Sequence, residues 1–355
     1  MGRRPAVTFV IMAGGRGERL WPLVRVGRPK VCLSADGRGS LLAATLQRLR
    51  PSWPAADWLV VTTQEQAAAV RAAVPAGLRD SVLAEPEGRN TAACLTLAAA
   101  LVASHNPRRV LVVVPADHWV GDARAFARSV RAAITASAAE GAIATIGVRA
   151  TEPHPGFGYL CAGAALPRRR NPGVFRLARF VEKPSRQAAR RLLAGPRTYW
   201  ISGIFIGAAQ TLLDAVQAQL PAHARLASLI RGSASVAGPR IRAAYRALPA
   251  VSFDQGVMNR YRRGLIIEGA FPWADLGSWD SWERRGANAS QVLALASRGV
   301  RAVSQQPHLI AAIGVHDLLV VHTPSATLIC PPDRAQAVRE IVKRLGQTPR
   351  LAAYR

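Results

Sequence analysis

The sequence predicts an α/β protein, a largely parallel sheet covered by helices on both faces, with a small β-rich unit at its C-terminal end. Between residues 7 and about 148, short β-branched runs alternate with alanine-rich amphipathic stretches. Unbroken apolar strands separated by helices belong in a parallel sheet buried on both sides. The first strand runs directly into three closely spaced glycines, Gly14, Gly15 and Gly17. After about Arg285 the pattern changes to short strands at close spacing, as in a small all-β unit.

In order, the strands are expected at 7–12, 58–62, 82–84, 110–114 and 142–148, and the intervening helices at 40–49, 64–74, 91–104 and 123–140. Residues 151–183 read as an excursion: the segment P-H-P-G-F-G-Y-L, a basic turn, then a strand at 173–182. A helix at 185–194, a strand at 199–207 and a helix at 208–220 follow, then a loop at 232–239. Residues 252–261 resemble one more helix, and a strand at 265–269 leads to W-A-D-L-G-S-W at 273–279. The last strands are expected at 302–304, 309–313, 318–321 and 327–330, before a helix from about Asp333. Residues 1–284 are therefore assigned to the main domain and 285–355 to the small one.

A chain of 355 residues suits one large domain plus a smaller one, with a sizeable core. No apolar run reaches the ~18–20 residues that span a bilayer. Arg3 and Arg4 precede apolar residues, but the run at 7–12 is too short for a secretory core and reads as a folded first strand. Cys32, Cys94, Cys161 and Cys330 are scattered without C-x-x-C spacing, which argues against a zinc site or disulfide framework and suits the cytoplasm. The formal charge of +26 comes from arginines spread over nearly every segment, with Arg168–Arg170 as the one run. Diffuse charge without a basic motif points away from nucleic acid or a membrane as partner; a general arginine-for-lysine, alanine-rich bias explains most of it, and small anionic ligands could account for some of the remainder. Only three lysines are present, Lys30, Lys183 and Lys343. In an arginine-biased chain a lysine marks places where a compact ammonium is wanted in place of a planar fork. Lys30 and Lys183 adjoin prolines in loop-like contexts; Lys343, in a helical pattern, reads as a surface residue.

The glycines at 14, 15 and 17 allow backbone N–H groups to approach phosphate oxygens closely. Arg16, Arg19, Arg25, Arg28 and Lys30 place positive charge around the same loop. The loop matches neither G-x-x-x-x-G-K-[ST] nor G-x-G-x-x-G, where Leu20 stands at the last glycine. Taken alone it is either a phosphate cradle or a tight strand–helix turn. In parallel sheets ligands bind beyond the carboxyl ends of the strands. The loop, E-P-E-G-R-N-T-A at 85–92 and P-A-D-H at 115–118 all fall there. Asp117 and Asp275 supply two carboxylates from distant segments, the minimal oxygen set for Mg²⁺ beside a polyphosphate, although either aspartate alone fits a cap or turn. Glu182 and Lys183 pair an acceptor with a cation at a strand end, for a sugar and its phosphate or as a surface ion pair. His118 reads as a general base or as a buried structural residue.

These segments, in this order, resemble the mannose-1-phosphate guanylyltransferases of the sugar nucleotidyltransferase superfamily. The resemblance rests on G-G-R-G-E-R-L-W-P-L…R-P-K (14–30), E-P-E-G-R-N-T-A (85–92), V-P-A-D-H (114–118) and G-F-G-Y-L (156–160). It continues through F-V-E-K-P (180–184), W-I-S-G-I-F (200–205), S-F-D-Q-G-V-M (252–258), W-A-D-L-G-S-W (273–279), G-V-H-D-L-L-V-V-H-T (314–323) and D-R-A-Q-A-V (333–338). It implies a Rossmann-like, mostly parallel sheet flanked by helices, of nucleotidyltransferase type A, with a short β-helix-like C-terminal domain. The implied reaction takes GTP and mannose 1-phosphate to GDP-mannose and pyrophosphate with Mg²⁺. By resemblance, Gly14, Gly15 and Gly17 hug the triphosphate and Asn90 and Thr91 lie by the nucleotide. Arg19, Lys30 and Lys183 are the catalytic cations, with Arg19 and Lys30 at the transferred phosphate. Asp117 and Asp275 hold the metal, and Gly158, Glu182, Lys183 and Asp254 meet the sugar phosphate. No isomerase domain follows, so a single activity is expected, and a homo-oligomer is compatible with it.

Several positions depart from the family pattern. Glu18 replaces a threonine in the loop, Val24 a serine, and Val31 begins V-C-L in place of Q-F-L. Ala93 stands for proline, Ile201 for the asparagine of W-N-S-G, and Asn259 for the glutamate of V-M-E-K. These changes spare the phosphate and metal groups and fall partly on the sugar side. They leave open a related nucleotidyltransferase with another sugar or base, and a catalytically weak paralogue that binds nucleotide sugar and regulates a partner.

Overall fold

Four parallel strands form one half of the central sheet, in the order β3-β2-β1-β4. They are β1 (Val7–Met12), β2 (Asp57–Thr63), β3 (Val82–Glu85) and β4 (Val110–Pro115). The computed structural model describes residues 5–34, 37–167, 173–233, 236–283 and 291–355. The arginine run at 168–170 and the expected domain boundary after residue 284 lie outside them. Along β1, Val7, Phe9 and Ile11 enter one apolar cluster and Val10 the other; β4 splits in the same way between Val110, Val112 and Val114 and Leu111 and Val113. Period-two alternation thus fills both faces, which is why these strands read as continuous apolar runs.

Beyond β4 the sheet is mixed. After the short β5 (His118–Val120), β6 (Ala144–Arg149), β7 (Tyr159–Ala165), β8 (Val174–Val181), β9 (Thr198–Ala208) and β10 (Leu265–Gly269) complete nine strands in the order β3-β2-β1-β4-β9-β6-β10-β8-β7. β9 lies antiparallel to both β4 and β6, and its first half also pairs with β7. Gly203, at φ +66, lies inside β9, where a left-handed residue lets the long strand change direction without a Cβ penalty. The mostly parallel expectation therefore describes the N-terminal half, and the excursion at 151–183 supplies β7 and β8.

Helices α1 (Leu41–Leu49) and α4 (Ala123–Glu140) cover one face, with Ser40 and Asp122 capping their first turns through their side chains. Gly141 ends α4 in the left-handed conformation. The short α2 (Ala67–Ala73) begins three residues later than expected, because 64–66 form a turn. On the other face α3 (Asn90–His105) is apolar nearly all round, as its burial between the sheet and its neighbours requires. Past α5 (Arg186–Leu193), two of those neighbours are α6 (Ala209–Gln219) and α7 (Pro221–Arg231). α7 and α8 (Pro239–Arg246) are not expected from the sequence; each opens on a proline at its first position, where the missing N–H costs nothing. The expected helix at 252–261 is only a π-helical turn, Asp254–Met258, in which Asn259 N–H donates to Asp254 O at 3.0 Å.

β11 (Trp273–Asp275) pairs antiparallel with β5, and α9 (Trp279–Glu283) follows. The C-terminal unit contains β12 (Gln291–Leu295), β13 (Arg301–Ser304), β14 (Leu309–Ile313), β15 (Leu319–Thr323) and β16 (Ala326–Cys330). β12 lies parallel to β14 and β13 parallel to β15, a coiled arrangement of short strands, and β16 returns antiparallel to β15. The final helix α10 (Val338–Gln347) starts after a 3-10 turn, Pro332–Ala337, later than expected.

Candidate active site

The β5–β11 ribbon sets Asp275 opposite His118, so the two distant aspartates, Asp117 and Asp275, emerge side by side at the carboxyl edge of the sheet. Lys30 reaches both: its Nζ lies 2.6 Å from Asp117 Oδ2 and 3.6 Å from Asp275 Oδ1. The ammonium is nearly buried, whereas the carboxylates are 29% and 31% exposed and open toward solvent. Burial raises the Asp117 carboxyl, but Lys30, His118 and hydrogen bonds outweigh it and hold it well below the usual carboxylate range. Gly17, at φ +64, packs on Lys30: a Cβ there would stand 2.7 Å from Lys30 Cβ. Only glycine serves at that point, both for its conformation and for the space.

Arg19 passes over Gly277, two residues beyond Asp275. A Cβ on Gly277 would meet Arg19 Nη2 and Asp275 Oδ1, each at 2.9 Å, so the guanidinium crosses the bare backbone next to the carboxylate. His118 Nδ1 accepts a hydrogen bond from Trp273 Nε1 at 3.2 Å, and its Nε2 faces Asp117 Oδ1 at 3.9 Å. Burial lowers its pKa against the pull of Asp117 and Asp275. With its Nδ1 engaged by Trp273 and its Nε2 toward Asp117, His118 fits the structural reading.

Gly14 faces Glu85, whose Oε2 would lie 3.1 Å from a Cβ on that glycine. Tyr245 Oη donates to Glu85 Oε1, and burial, partly offset by that bond, raises the Glu85 pKa to about 7. Sequence reasoning misses Glu85; a carboxylate ending an otherwise apolar strand is the available signal. Gly15 O accepts from Gln66 Nε2 at 3.3 Å. Asn90 takes a left-handed φ of 66°, and its Oδ1 accepts the Thr91 N–H at 2.8 Å. Thr91 Oγ1 accepts the Phe253 N–H at 2.8 Å and so ties α3 to the turn that carries Asp254.

The third group of expected residues gathers at the end of β8. Glu182 Oε1 lies 3.2 Å from Lys183 Nζ, and Lys183 holds a left-handed φ of 43°. Gly158 is hemmed in: an added Cβ would stand 2.7 Å from Glu182 Oε2 and 2.9 Å from Ile201 Cγ2. Asp254 has a buried Oδ1 without a hydrogen-bond partner among the described residues. Burial, then the neighbouring Glu182 charge, raises its pKa to about 7. Two acids and a lysine, one acid unsatisfied, form a site ready for hydroxyl donors and an anion. Phe157, next to Gly158, has its ring centroid 5.6 Å from that of Trp273, whose Nε1 donates to His118.

The departures from the family pattern find physical places. Glu18 is turned toward Arg16, at 3.7 Å, and borders a cavity of about 380 Å³ shared with Arg339, Lys343 and Arg355. Val24 and Val31 are buried. Ile201 forms an apolar wall against Gly158, and Asn259 is exposed. Among the described residues no three or more His, Cys, Asp or Glu cluster as a metal site. Among them, too, no helix is long and apolar enough to cross a membrane.

Two family models match the chain. The nucleotidyl transferase model covers residues 8–291, and the mannose-phosphate isomerase/GMP-like β-helix domain covers 290–345. A putative mannose-1-phosphate guanylyltransferase of Vibrio cholerae is 33% identical, across 98% of this chain and 76% of that protein. The alginate biosynthesis protein AlgA of Pseudomonas aeruginosa is 34% identical, across 95% and 71%. A crystal structure described as mannose-1-phosphate geranyltransferase from Thermus thermophilus superposes with a TM-score of 0.81 at 33% identity, covering 96% of this chain and 99% of that one. With the glycine loop, paired aspartates and β-rich C-terminal unit in place, the chain belongs to the mannose-1-phosphate guanylyltransferase family of nucleotidyl transferases.

Proposed function

We propose that this protein joins GTP and mannose 1-phosphate into GDP-mannose, releasing pyrophosphate, by in-line attack of the sugar phosphate on the α-phosphorus. The observation that carries the reading is the Lys30 ammonium shared between Asp117 and Asp275 beside the glycine loop. Two carboxylates with open oxygens suit a magnesium ion, which takes one or two carboxylates and completes its shell with water and phosphate. Asp117 and Asp275 would hold it, and when bound it neutralises charge on the phosphate oxygens.

The nucleophile is already an anionic phosphate, so no side chain has to remove a proton. The work left to the protein is alignment and charge stabilisation. Gly14, Gly15 and Gly17 bring backbone N–H groups to the triphosphate, and Lys30 and Arg19 offset charge at the transferred phosphate. Glu85, with Oε2 facing Gly14, offers guanine an acceptor for its N1–H and N2–H. Asn90 and Thr91 shape the nucleotide side from the start of α3. Glu182 and Asp254 accept sugar hydroxyls, Lys183 meets the sugar phosphate, and Gly158 leaves room for the ring. The small-molecule substrates fit a cytoplasmic enzyme acting on neither nucleic acid nor membrane.

The test is pyrophosphate release with Mg²⁺ and a matrix of nucleoside triphosphates and sugar 1-phosphates. Release confined to GTP with mannose 1-phosphate supports the reading. Release with another sugar would point to Ile201, where a hydroxyl meets a methyl in place of an amide, since losing such a partner relaxes discrimination. Binding of GDP-mannose without any release would favour a regulatory paralogue.

A further inference from the structure

The glycine loop is held from behind by the C-terminal unit. Leu20, Trp21, Leu23 and Val24 share one buried cluster with β15 and α10 side chains such as Leu319 and Val342. Trp21 Nε1 donates to Tyr354 O at 2.7 Å, and Arg25 donates to Tyr354 O at 3.1 Å and to Ser325 Oγ at 2.9 Å. These contacts fix the loop's backbone. One other contact bears directly on a proposed catalytic cation: Arg19 Nη1 donates to Gln336 Oε1 at 3.1 Å. Gln336 lies in the 3-10 turn before α10, 317 residues away in sequence. The guanidinium's other end, Nη2, lies against Gly277, 2.9 Å from where a Cβ would stand, so Arg19 spans from the main domain to the C-terminal unit.

We propose that Gln336 is a positioning residue for the nucleotidyl transfer, holding Arg19 toward the transferred phosphate so that the C-terminal unit completes the active site. The proposal rests on the reaction given above. A neutral amide suits this role, because it fixes one nitrogen of the fork and leaves the full positive charge available to a phosphate. A glutamate there would fix it equally well and cancel the charge.

A double-mutant cycle tests this on the full chain, with Q336A, Arg19→Ala, the double variant and Q336E. Q336A should lower kcat about 10-fold, within the range seen for residues coupled through one hydrogen bond. KM for the sugar phosphate and the melting temperature should stay as in the wild type. Arg19→Ala should cost more, about 100-fold, and the double variant should match Arg19→Ala alone. Q336E should keep the melting temperature and still lose kcat, which a purely structural contact would not do. Wild-type kcat in Q336A, or a double variant that multiplies the two separate losses, overturns the proposal while leaving the reaction intact. A wild-type protein that releases no pyrophosphate overturns the reaction itself, and the role of Gln336 with it.

Discussion

Lys30 and Asp117 form an ion pair of 2.6 Å at the edge of the sheet, and Asp275 approaches the same ammonium from the other side. The lysine is thus the cation that keeps two carboxylates together when no metal is bound. Replacing it with methionine should lower kcat by about 10²–10³-fold, the scale of losing one charge-stabilising donor. It should also cost on the order of 2 kcal/mol of stability by leaving Asp117 without its partner. Because a divalent cation can then take the ammonium's place, Mg²⁺ should raise the melting temperature of Lys30→Met more than that of the wild type. Equal shifts would detach Lys30 from the metal pair.

Glu85 should make stability and nucleotide affinity respond to pH in opposite directions. Its pKa is raised from 4.5 to about 7 by burial. The folded state therefore holds the proton more tightly than the unfolded chain. The stabilisation is complete below pH 4.5 and is lost as pH rises through about 7. The total is on the order of 3 kcal/mol at ~1.4 kcal/mol per pKa unit. Only the carboxylate accepts guanine's two N–H groups, so KM for GTP should fall as pH rises through the same window. Denaturant titrations and GTP kinetics from pH 5 to 8 should show both trends, and Glu85→Gln should flatten both.

Gly158→Ala places a methyl group 2.7 Å from Glu182 Oε2 and must displace that carboxylate. KM for mannose 1-phosphate should rise about 10-fold or more, while KM for GTP stays near the wild-type value, following the steep cost of misplacing a positioning group. An equal rise in both constants would place Gly158 away from the sugar end.

Thr91→Val removes the acceptor of the Phe253 N–H. An unmade bond of this kind costs about 1–3 kcal/mol. Because Phe253 precedes Asp254, the sugar phosphate's KM should rise with the loss of stability. A change confined to GTP would instead mean that the hydroxyl serves the nucleotide.

Much of this arrangement is legible in the sequence. The continuous apolar runs at 7–12 and 110–114 and the amphipathic stretches at 40–49 and 123–140 are local signals, and they form β1, β4, α1 and α4 nearly where expected. The lysine scarcity marks Lys30 and Lys183, both of which stand beside site carboxylates. What the sequence does not disclose depends on contacts between distant segments. β9 runs antiparallel to both β4 and β6, with Gly203 in the left-handed region inside it, and no periodicity announces those pairings. The turn at Asp254 carries a helix-like pattern but has Leu220 packed against Gly256, 3.1 Å from where a Cβ would be. Gln336 sits at an exposed position with no apolar period, and only the fold brings it to Arg19. Glu18, an anion in a phosphate loop, is turned toward Arg16 and lines a cavity with Arg339, Glu340, Lys343 and Arg355, contacts that no local pattern announces.

The central claim is that the sugar phosphate's own oxygen attacks the α-phosphorus of GTP. Incubating the protein with Mg²⁺, unlabelled GTP and mannose 1-phosphate labelled with oxygen-18 in its phosphate, then weighing both products by mass spectrometry, tests it directly. All of the label should appear in GDP-mannose and none in pyrophosphate. Label in pyrophosphate, or no GDP-mannose at all, would contradict it.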